Sequence, residues 1–253
     1  MSLPTKRLFG DHSDKIKKEI RGFAVAFVIA MIIRTFFYQP FNIPSGSMIP
    51  TLLIGDYLFV SKFTYGYSRH SFPFGPPIFS GRVMEHSPKQ GEVVVFFNPK
   101  HENLDYIKRL IGLPGDRVQV KEGLLYINDK PVTLERIEDH HAVDNEGRLL
   151  VIPQYIETLP NGVKHKILKS TPFGQGRLDN TEVFTVPEGH YFMMGDNRDN
   201  SSDSRVMSTV GYVPFENFIG RAEILFFSTE AKWYEPWNWF FGLRYRRLLE
   251  IIN

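Results

Sequence analysis

Residues 105–129 read DYIKRLIGLPGDRVQVKEGLLYIND, and this stretch decides the fold class. As a strand, Asp105 to Gly112 puts Tyr106, Lys108 and Leu110 on one face and Ile107, Arg109 and Ile111 on the other. Pro114-Gly115 breaks the run, Arg117–Val120 and Leu124–Ile127 follow as short strands, and Asn128-Asp129 ends the series. The same texture extends outward in Tyr57–Val60, Glu92–Phe97, Glu182–Val186, His190–Met194 and Ala222–Ser228, with Pro187-Glu188-Gly189 as another break. The pattern predicts a mainly β, antiparallel architecture. Aromatic residues at 14%, 22 of the residues being Phe, together with 17 Pro and 20 Gly, suit strands and turns better than helices. From Thr133 to about Asn180 the chain is more polar, and Asn161-Gly162 predicts a hairpin joining Leu150–Glu157 to Val163–Lys169. Residues 133–180 are therefore read as an inserted β-rich subdomain.

The first 38 residues differ. In residues 1–21, Lys6, Arg7, Lys15, Lys17, Lys18 and Arg21 outnumber Asp11, Asp14 and Glu19. From Gly22 to Tyr38 the sequence GFAVAFVIAMIIRTFFY carries only Arg34 as a charge. A buried core helix should show a polar stripe, and Phe23 to Ile33 shows none. A cleaved leader needs a small-x-small site close behind, where Arg-Thr-Phe-Phe-Tyr-Gln-Pro stands instead. The expectation is one N-terminal transmembrane helix, a retained anchor over 22–38, at the short end of what spans a bilayer core. Arg34 then snorkels to the far interface beside Phe36, Phe37 and Tyr38. The basic segment 1–21 stays in the cytoplasm and 39–253 forms an extracytoplasmic domain. The stretch from Trp233 to Arg247 mixes aromatics with cations, which suits a membrane surface or a core-packed end alike.

Composition excludes several kinds of function. Lys+Arg 30 against Asp+Glu 28 leaves a net charge of +2 with no long basic run, so there is no electrostatic reason to expect nucleic acid. With Cys 0, disulfide frameworks, thiolate metal sites and cysteine nucleophiles are ruled out. The eight histidines are scattered, without HExxH or paired-ligand spacing. The acidic stretch 195–205 fails as an EF-hand: loops starting at Asp196 or Asp199 put Ser201 or Ser204 where Gly is needed, and Met207 or Val210 where Glu is needed. No metal and no other cofactor is expected. Read plainly, 195–205 is a hydrogen-bonded loop with an Asp203–Arg205 or Asp199–Arg198 ion pair.

Two segments suggest chemistry. Asn42-Ile-Pro-Ser-Gly-Ser-Met-Ile-Pro-Thr-Leu52 holds the chain as strand, then turn, and can leave a backbone N–H free beside Gly46. Around Lys108, an amine flanked by Tyr106 and Leu110 on one face invites burial. Taken alone, Lys108 also reads as a solvated strand lysine and Ser47 as a turn residue.

The order Ser45-Gly-Ser-Met-x-Pro-Thr-Leu52, Gly55-Asp56, Lys62-Phe63, Asp105-Tyr-Ile-Lys-Arg, Gly112-Leu-Pro-Gly-Asp116 and Gly195-Asp-Asn-Arg-Asp-Asn-Ser-x-Asp-Ser-Arg205 resembles the bacterial type I signal peptidase family. The resemblance runs from the anchor to about Gly220 and is faint over 133–180 and the tail. Some members have two N-terminal spans, and this chain has one expected span. The resemblance implies a membrane-bound serine endopeptidase of the cytoplasmic membrane that cleaves signal peptides from exported preproteins after A-x-A sites. It implies Ser47 as nucleophile and Lys108 as general base, with Ser201 hydrogen-bonded to the amine. An exposed lysine is neutral in only about one molecule in a thousand near pH 7.4, so a base at Lys108 needs burial. The Ser47 N–H and the Ser45 hydroxyl would hold the oxyanion, while Gly195, Asn200, Asp203 and Arg205 would shape the site. Phe41–Pro44 and Asp105–Ile107 would flank a groove in which the signal peptide adds as a strand. Phe41, Ile43, Pro44, Met48, Leu52, Leu58, Asp105, Tyr106 and Ile107 are the expected substrate-binding residues. The expected partners are signal peptides and the phospholipid bilayer.

On the residues alone a rival stays open: a membrane-tethered β-rich binding module in which Ser47 and Lys108 are structural. A Ser-His-Asp hydrolase lacks its G-x-S-x-G elbow here. Self-cleaving repressor-type proteins share the Ser/Lys pair but would not carry the anchor.

Overall fold

The structure, a computed structural model, describes residues 7–72, 80–101, 104–143, 146–231, 236–239 and 242–252, with side chains from residue 15 onward except at 236. The first six residues of the expected cytoplasmic segment, and Trp233, Tyr234, Glu235, Phe240 and Phe241 of the aromatic end, lie outside the described residues. The chain starts with helix α1 (Arg7–Phe36), then strands β1 (Tyr38–Asn42) and β2 (Asp56–Ser61), the small pair β3 (Tyr67–Ser68) and β4 (Arg82–Val83), then β5 (Val93–Phe97) and β6 (Asp105–Gly112). Next come β7 (Arg117–Lys121), β8 (Leu124–Ile127), β9 (Lys130–Pro131), β10 (Thr133–Arg136), β11 (His140–Val143), β12 (Leu149–Ile152), β13 (Gln154–Thr158) and β14 (Lys164–Leu168). The last are β15 (Phe184–Thr185), β16 (His190–Met194), β17 (Val213–Pro214) and the long β18 (Phe218–Ser228).

Seven strands form the main sheet in the order β1-β2-β18-β5-β6-β16-β17, every pairing antiparallel. Its centre is buried on both faces, which is why β5 reads as the unbroken apolar run Val-Val-Val-Phe-Phe. Val93 and Val95 pack with Leu58, Val60, Met48 and Leu52 in one core, while Val94 and Phe96 pack with Leu110, Met193 and Phe218 in another. A third core joins Ile111 and Phe192 to Val118, Val120, Leu125 and Ile127 of a four-stranded sheet, β15-β7-β8-β9. Each fully buried Leu, Val or Phe contributes roughly 1.5–3 kcal/mol of transfer free energy, so these cores fix the strands that carry the site.

Three expected strands are revised. Leu150–Glu157 is not one strand: it breaks at Pro153, leaving Leu149–Ile152 paired with β11 and Gln154–Thr158 paired with β14. Proline has no N–H to give a ladder, which accounts for the break. Glu182–Val186 contracts to β15, and Ala222–Ser228 extends backward to Phe218. The Asn161-Gly162 hairpin forms, with Gly162 at φ +86 and the Asn161 Oδ1 accepting from the Val163 N–H at 3.1 Å.

The expected span also needs correction. Among the described residues, no helix is long and apolar enough to cross a membrane. α1 closes at Phe36, so Tyr38 already belongs to β1, and Arg21 and Arg34 bracket the apolar stretch 22–33. That stretch is about 18 Å of helix at 1.5 Å per residue, against a hydrocarbon core of about 30 Å. Phe23, Val25, Phe27, Val28, Ile29, Ile32 and Ile33 are all exposed. The helix meets the sheet at its end, where the Phe36 ring lies 5.7 Å from that of Tyr67 and 6.0 Å from that of Phe72.

Candidate active site

After β1 the chain is pinned on both sides of a tight turn. Ile43 is buried and exchanges backbone hydrogen bonds with the β2 end, its N–H to the Asp56 carbonyl at 2.8 Å and its carbonyl from the Gly55 N–H at 3.0 Å. Gly46–Met48 is a single 3₁₀ turn, and Met48 and Leu52 sink fully into the core beneath it. The Leu52 N–H closes onto the Met48 carbonyl at 2.9 Å. From the far side, Asn197 grips the turn twice: its side-chain amide donates to the Gly46 carbonyl at 2.9 Å and its N–H to the Ser47 carbonyl at 3.1 Å. The Ser47 side chain is thereby presented from a backbone fixed by core packing below and hydrogen bonds beside it.

β6 brings Lys108 to this turn. Its Nζ donates to the Ser47 Oγ at 2.7 Å and to the Ile107 carbonyl at 2.9 Å, and only 3% of the residue is exposed. Burial lowers the pKa of the amine from 10.5 to about 8, while the Asp203 and Asp196 carboxylates act in the opposite sense. The Tyr106 ring stands 5.2 Å from the Nζ. A second buried lysine, Lys62, is also brought to about 8, by burial first and then by Arg34, yet its Nζ donates to the Ser71 carbonyl at 2.5 Å. A depressed amine is thus not unusual in this fold; one placed on a hydroxyl is what sets Lys108 apart.

The loop 195–205 forms the wall behind the pair. The Asp203 carboxylate takes the Gly195 N–H at 3.0 Å and two bonds from the Arg205 guanidinium at 2.9 and 2.8 Å. Burial raises the Asp203 pKa, but Arg205, with help from the Gly195 N–H and Ser201, outweighs this and leaves it below the usual carboxylate range. Arg205 also reaches the Arg198 carbonyl at 2.7 Å. Asn200 donates to the Asn197 Oδ1 at 3.2 Å and so supports the residue that grips the turn. Of the two ion pairs expected in this loop, Asp203–Arg205 forms and Asp199–Arg198 does not. Arg198 is drawn to Glu157 of β13, and Asp199 to Lys169 at 2.7 Å, because each finds a buried countercharge there. Ser201 is buried close by, but the expected bond to the amine is not made: Lys108 is held by the Ser47 hydroxyl and the Ile107 carbonyl instead.

A groove of about 540 Å³ opens at Ser47 and Lys108. Phe41, Ile43, Pro44, Ser45, Asp105, Tyr106 and Ile107 line it, as does Asn200. On one side Asp105–Lys108 pairs with β5, whereas β16 pairs only with Arg109, Leu110 and Gly112, so the first half of β6 presents a free ladder edge. Met48, Leu52 and Leu58 do not line the groove. All three are fully buried in the core below it, since strand and turn geometry aim them inward.

Sequence reasoning missed Asn42, Val95, Asn197 and Ser202 on the groove wall. It also missed the charge network under it. Arg109, fully buried, makes a two-pronged bond to Asp196 at 2.9 and 2.8 Å, and Thr51 joins the same carboxylate at 2.5 Å. His165 lies between that pair and Glu157, 3.2 Å from the Glu157 Oε1. The one available signal was an arginine between Ile107 and Ile111 on an otherwise apolar strand face, which demands a buried acid. Among the described residues no group of His, Cys, Asp and Glu is placed to hold a metal ion.

A family model described as signal peptidase, peptidase S26, matches residues 16–227. A signal peptidase I of Rickettsia typhi (strain ATCC VR-144 / Wilmington) is 45% identical over 226 residues, covering 87% of this chain and 83% of the relative. A signal peptidase I of Rickettsia canadensis (strain McKiel) is 46% identical over 224 residues, covering 86% and 82%. A crystal structure of a signal peptidase I from Enterococcus faecalis V583, at 27% identity, covers 54% of this chain and 97% of that one with a TM-score of 0.32.

Proposed function

The chain belongs to the signal peptidase family, peptidase S26, and is a serine endopeptidase; on that premise we propose that it removes signal peptides from exported preproteins, with Ser47 as nucleophile and Lys108 as general base. The observation that carries this reading is a buried amine 2.7 Å from a hydroxyl at the floor of a groove. At a pKa of about 8, roughly one Lys108 in five is neutral near pH 7.4, against about one in a thousand for a free lysine. The neutral amine takes the Ser47 proton as the Oγ–carbonyl bond forms, and the resulting ammonium returns that proton to the leaving amine as the C–N bond breaks. Water, activated by the same amine, then hydrolyses the ester and frees Ser47. The exposed Ser45 hydroxyl, which caps no N–H of its own turn, assists the Ser47 N–H in holding the oxyanion.

The substrate lies as an added strand between the free edge of Asp105–Ile107 and the segment Phe41–Pro44. A strand there points alternate side chains at the wall, which favours small residues one and three positions before the cut, the A-x-A pattern. Gly195, Asn200, Asp203 and Arg205 support the pair from behind, and 133–180 is an insertion on a catalytic domain of 39–253. α1 tethers this domain to the outer face of the cytoplasmic membrane; its exposed apolar collar from Phe23 to Ile33 supports this. Sedimentation of the full chain with the membrane fraction is expected, and recovery in the soluble fraction would overturn the tether.

The deciding experiment is incubation of a purified preprotein with the full chain in detergent, the cut being located by mass spectrometry. Cleavage after a small-x-small site supports the proposal. No cleavage by a folded sample rejects it in favour of a binding module.

A further inference from the structure

The tail 243–252 returns to the nucleophile turn from the opposite end of the sequence, beyond the residues that the family model matches. It lies along β18: the Arg244 N–H bonds to the Ser228 carbonyl at 3.0 Å, the Leu249 N–H to the Leu225 carbonyl at 2.8 Å, and the Leu225 N–H to the Glu250 carbonyl at 2.9 Å. From that track Arg247 reaches across to the segment that follows Ser47. Its guanidinium donates to the Thr51 carbonyl at 2.9 Å and to both oxygens of Asp56, at 3.2 and 2.6 Å.

Both partners are connected to the site. Asp56 is fully buried and also takes the Leu53 N–H at 2.8 Å and the Ser228 hydroxyl at 2.6 Å. Thr51 bonds through its hydroxyl to Asp196, whose other bonds come from Arg109, the neighbour of Lys108 on β6. The chain from Ser47 to Asp56 is therefore held along its length: by Asn197 at its start, by Asp196 through Thr51, by Arg244 of the tail at the Ile54 carbonyl, 2.5 Å away, and by Arg247 at Thr51 and Asp56. A planar fork that meets a carboxylate and a carbonyl together fixes direction as well as distance, which a single ammonium does not.

We propose that the tail is a strap for the nucleophile turn and that Arg247 is a positioning residue, which through Thr51 and Asp56 keeps Ser47 in register with Lys108. The proposal rests on Ser47 being the nucleophile. Small displacements of reacting groups by remote changes cost up to about a hundredfold in rate, so the loss belongs in kcat and not in peptide binding, because the tail is absent from the groove lining.

The test compares Arg247→Gln, Arg247→Lys and, as control, Arg246→Gln at the exposed neighbouring arginine, in the full chain with a purified preprotein. Expected are a fall in kcat of about tenfold to a hundredfold for Arg247→Gln with KM within about twofold, a smaller fall for Arg247→Lys, and wild-type rates for Arg246→Gln. Hydrogen exchange by mass spectrometry should rise over residues 46–56 in Arg247→Gln and stay unchanged over β5 and β16. A wild-type kcat in Arg247→Gln overturns the strap. So does exchange raised across the whole sheet, which assigns Arg247 to general stability. If the wild type itself does not cleave, the peptidase reading falls while the exchange pattern still decides the strap.

Discussion

A Cβ added to Gly195 would stand 2.2 Å from the Ser201 Oγ and 2.5 Å from the Ser47 carbonyl oxygen. The loop after β16 thus touches the nucleophile turn through the one residue type that leaves room, and the same carbonyl accepts the Asn197 N–H. A backbone atom inside 3.0 Å of a new methyl cannot give way cheaply. Gly195→Ala is expected to cost about 1–3 kcal/mol as overpacking does, and to lower kcat by more than the loss of folded enzyme explains. Thermal melting and kcat on the same samples check this; a normal kcat would show that the close approach is dispensable.

Ser47→Ala should abolish turnover and leave melting unchanged, because a single oxygen is lost from a turn held by its backbone. Substantial residual cleavage rejects the nucleophile. Ser45→Ala, at an exposed side chain without a capping bond, should slow turnover by up to about 10²–10³-fold, the effect of one oxyanion donor, and not change stability. An unchanged rate removes Ser45 from the mechanism.

The strands bounded by Gly, Pro and Asn were legible because their turns punctuate the chain: Leu124–Ile127 and His190–Met194 end where the sequence says. Two-residue strands such as Tyr67–Ser68 and Val213–Pro214 have no period to detect. The surroundings of Lys108 were readable as strand alternation, but its hydroxyl partner, 61 residues earlier, was reached only through the family resemblance. The Arg109–Asp196 bond, spanning 87 residues, was out of reach for the same reason. Met48, Leu52 and Leu58 are apolar, as the expected groove lining is, yet all three face the core. Apolarity is common to a groove wall and a core, and only the direction of the side chain separates them.

His165 and Glu157 set an acid limit to stability. Burial and then Arg109 keep the His165 pKa below its usual value. The folded imidazole therefore stays neutral where an unfolded one takes a proton, and stability falls as pH drops below about 6.5 until the folded pKa is passed. Burial works against the Glu157 carboxylate, but Arg198 and His165 hold its pKa well below the usual range. A second loss starts as pH drops below about 4.3, where the unfolded chain binds that proton first. Denaturant melts at pH 7, 5.5 and 4 should show both steps, and His165→Gln should remove the first. Equal stability at pH 7 and 5.5 in the unmodified chain would refute the assignment.

Lys108 should cost stability as well as supply catalysis. Its pKa is about 8 when folded and 10.5 in the reference state. Between those values the unfolded chain keeps a proton that the folded chain has lost, so stability rises with pH across that window. Below it both states are protonated and the folded state bears the whole cost of a buried ammonium, of the order of 3 kcal/mol. Lys108→Met, similar in length and uncharged, is then expected to be inactive and more stable than the unmodified chain at pH 7. Lys108→Arg keeps the charge and cannot take a proton, since a guanidinium has a pKa above about 12; it should be inactive and no more stable. If Lys108 were a solvated strand lysine, the arginine change would be nearly silent. Turnover of the unmodified enzyme should rise along an alkaline limb near pH 8, where the neutral amine forms. A folded, active Lys108→Arg enzyme, or a limb at the pKa of a free lysine, would mean that the Ser47 proton goes elsewhere, and the pairing proposed for these two residues would have to be withdrawn.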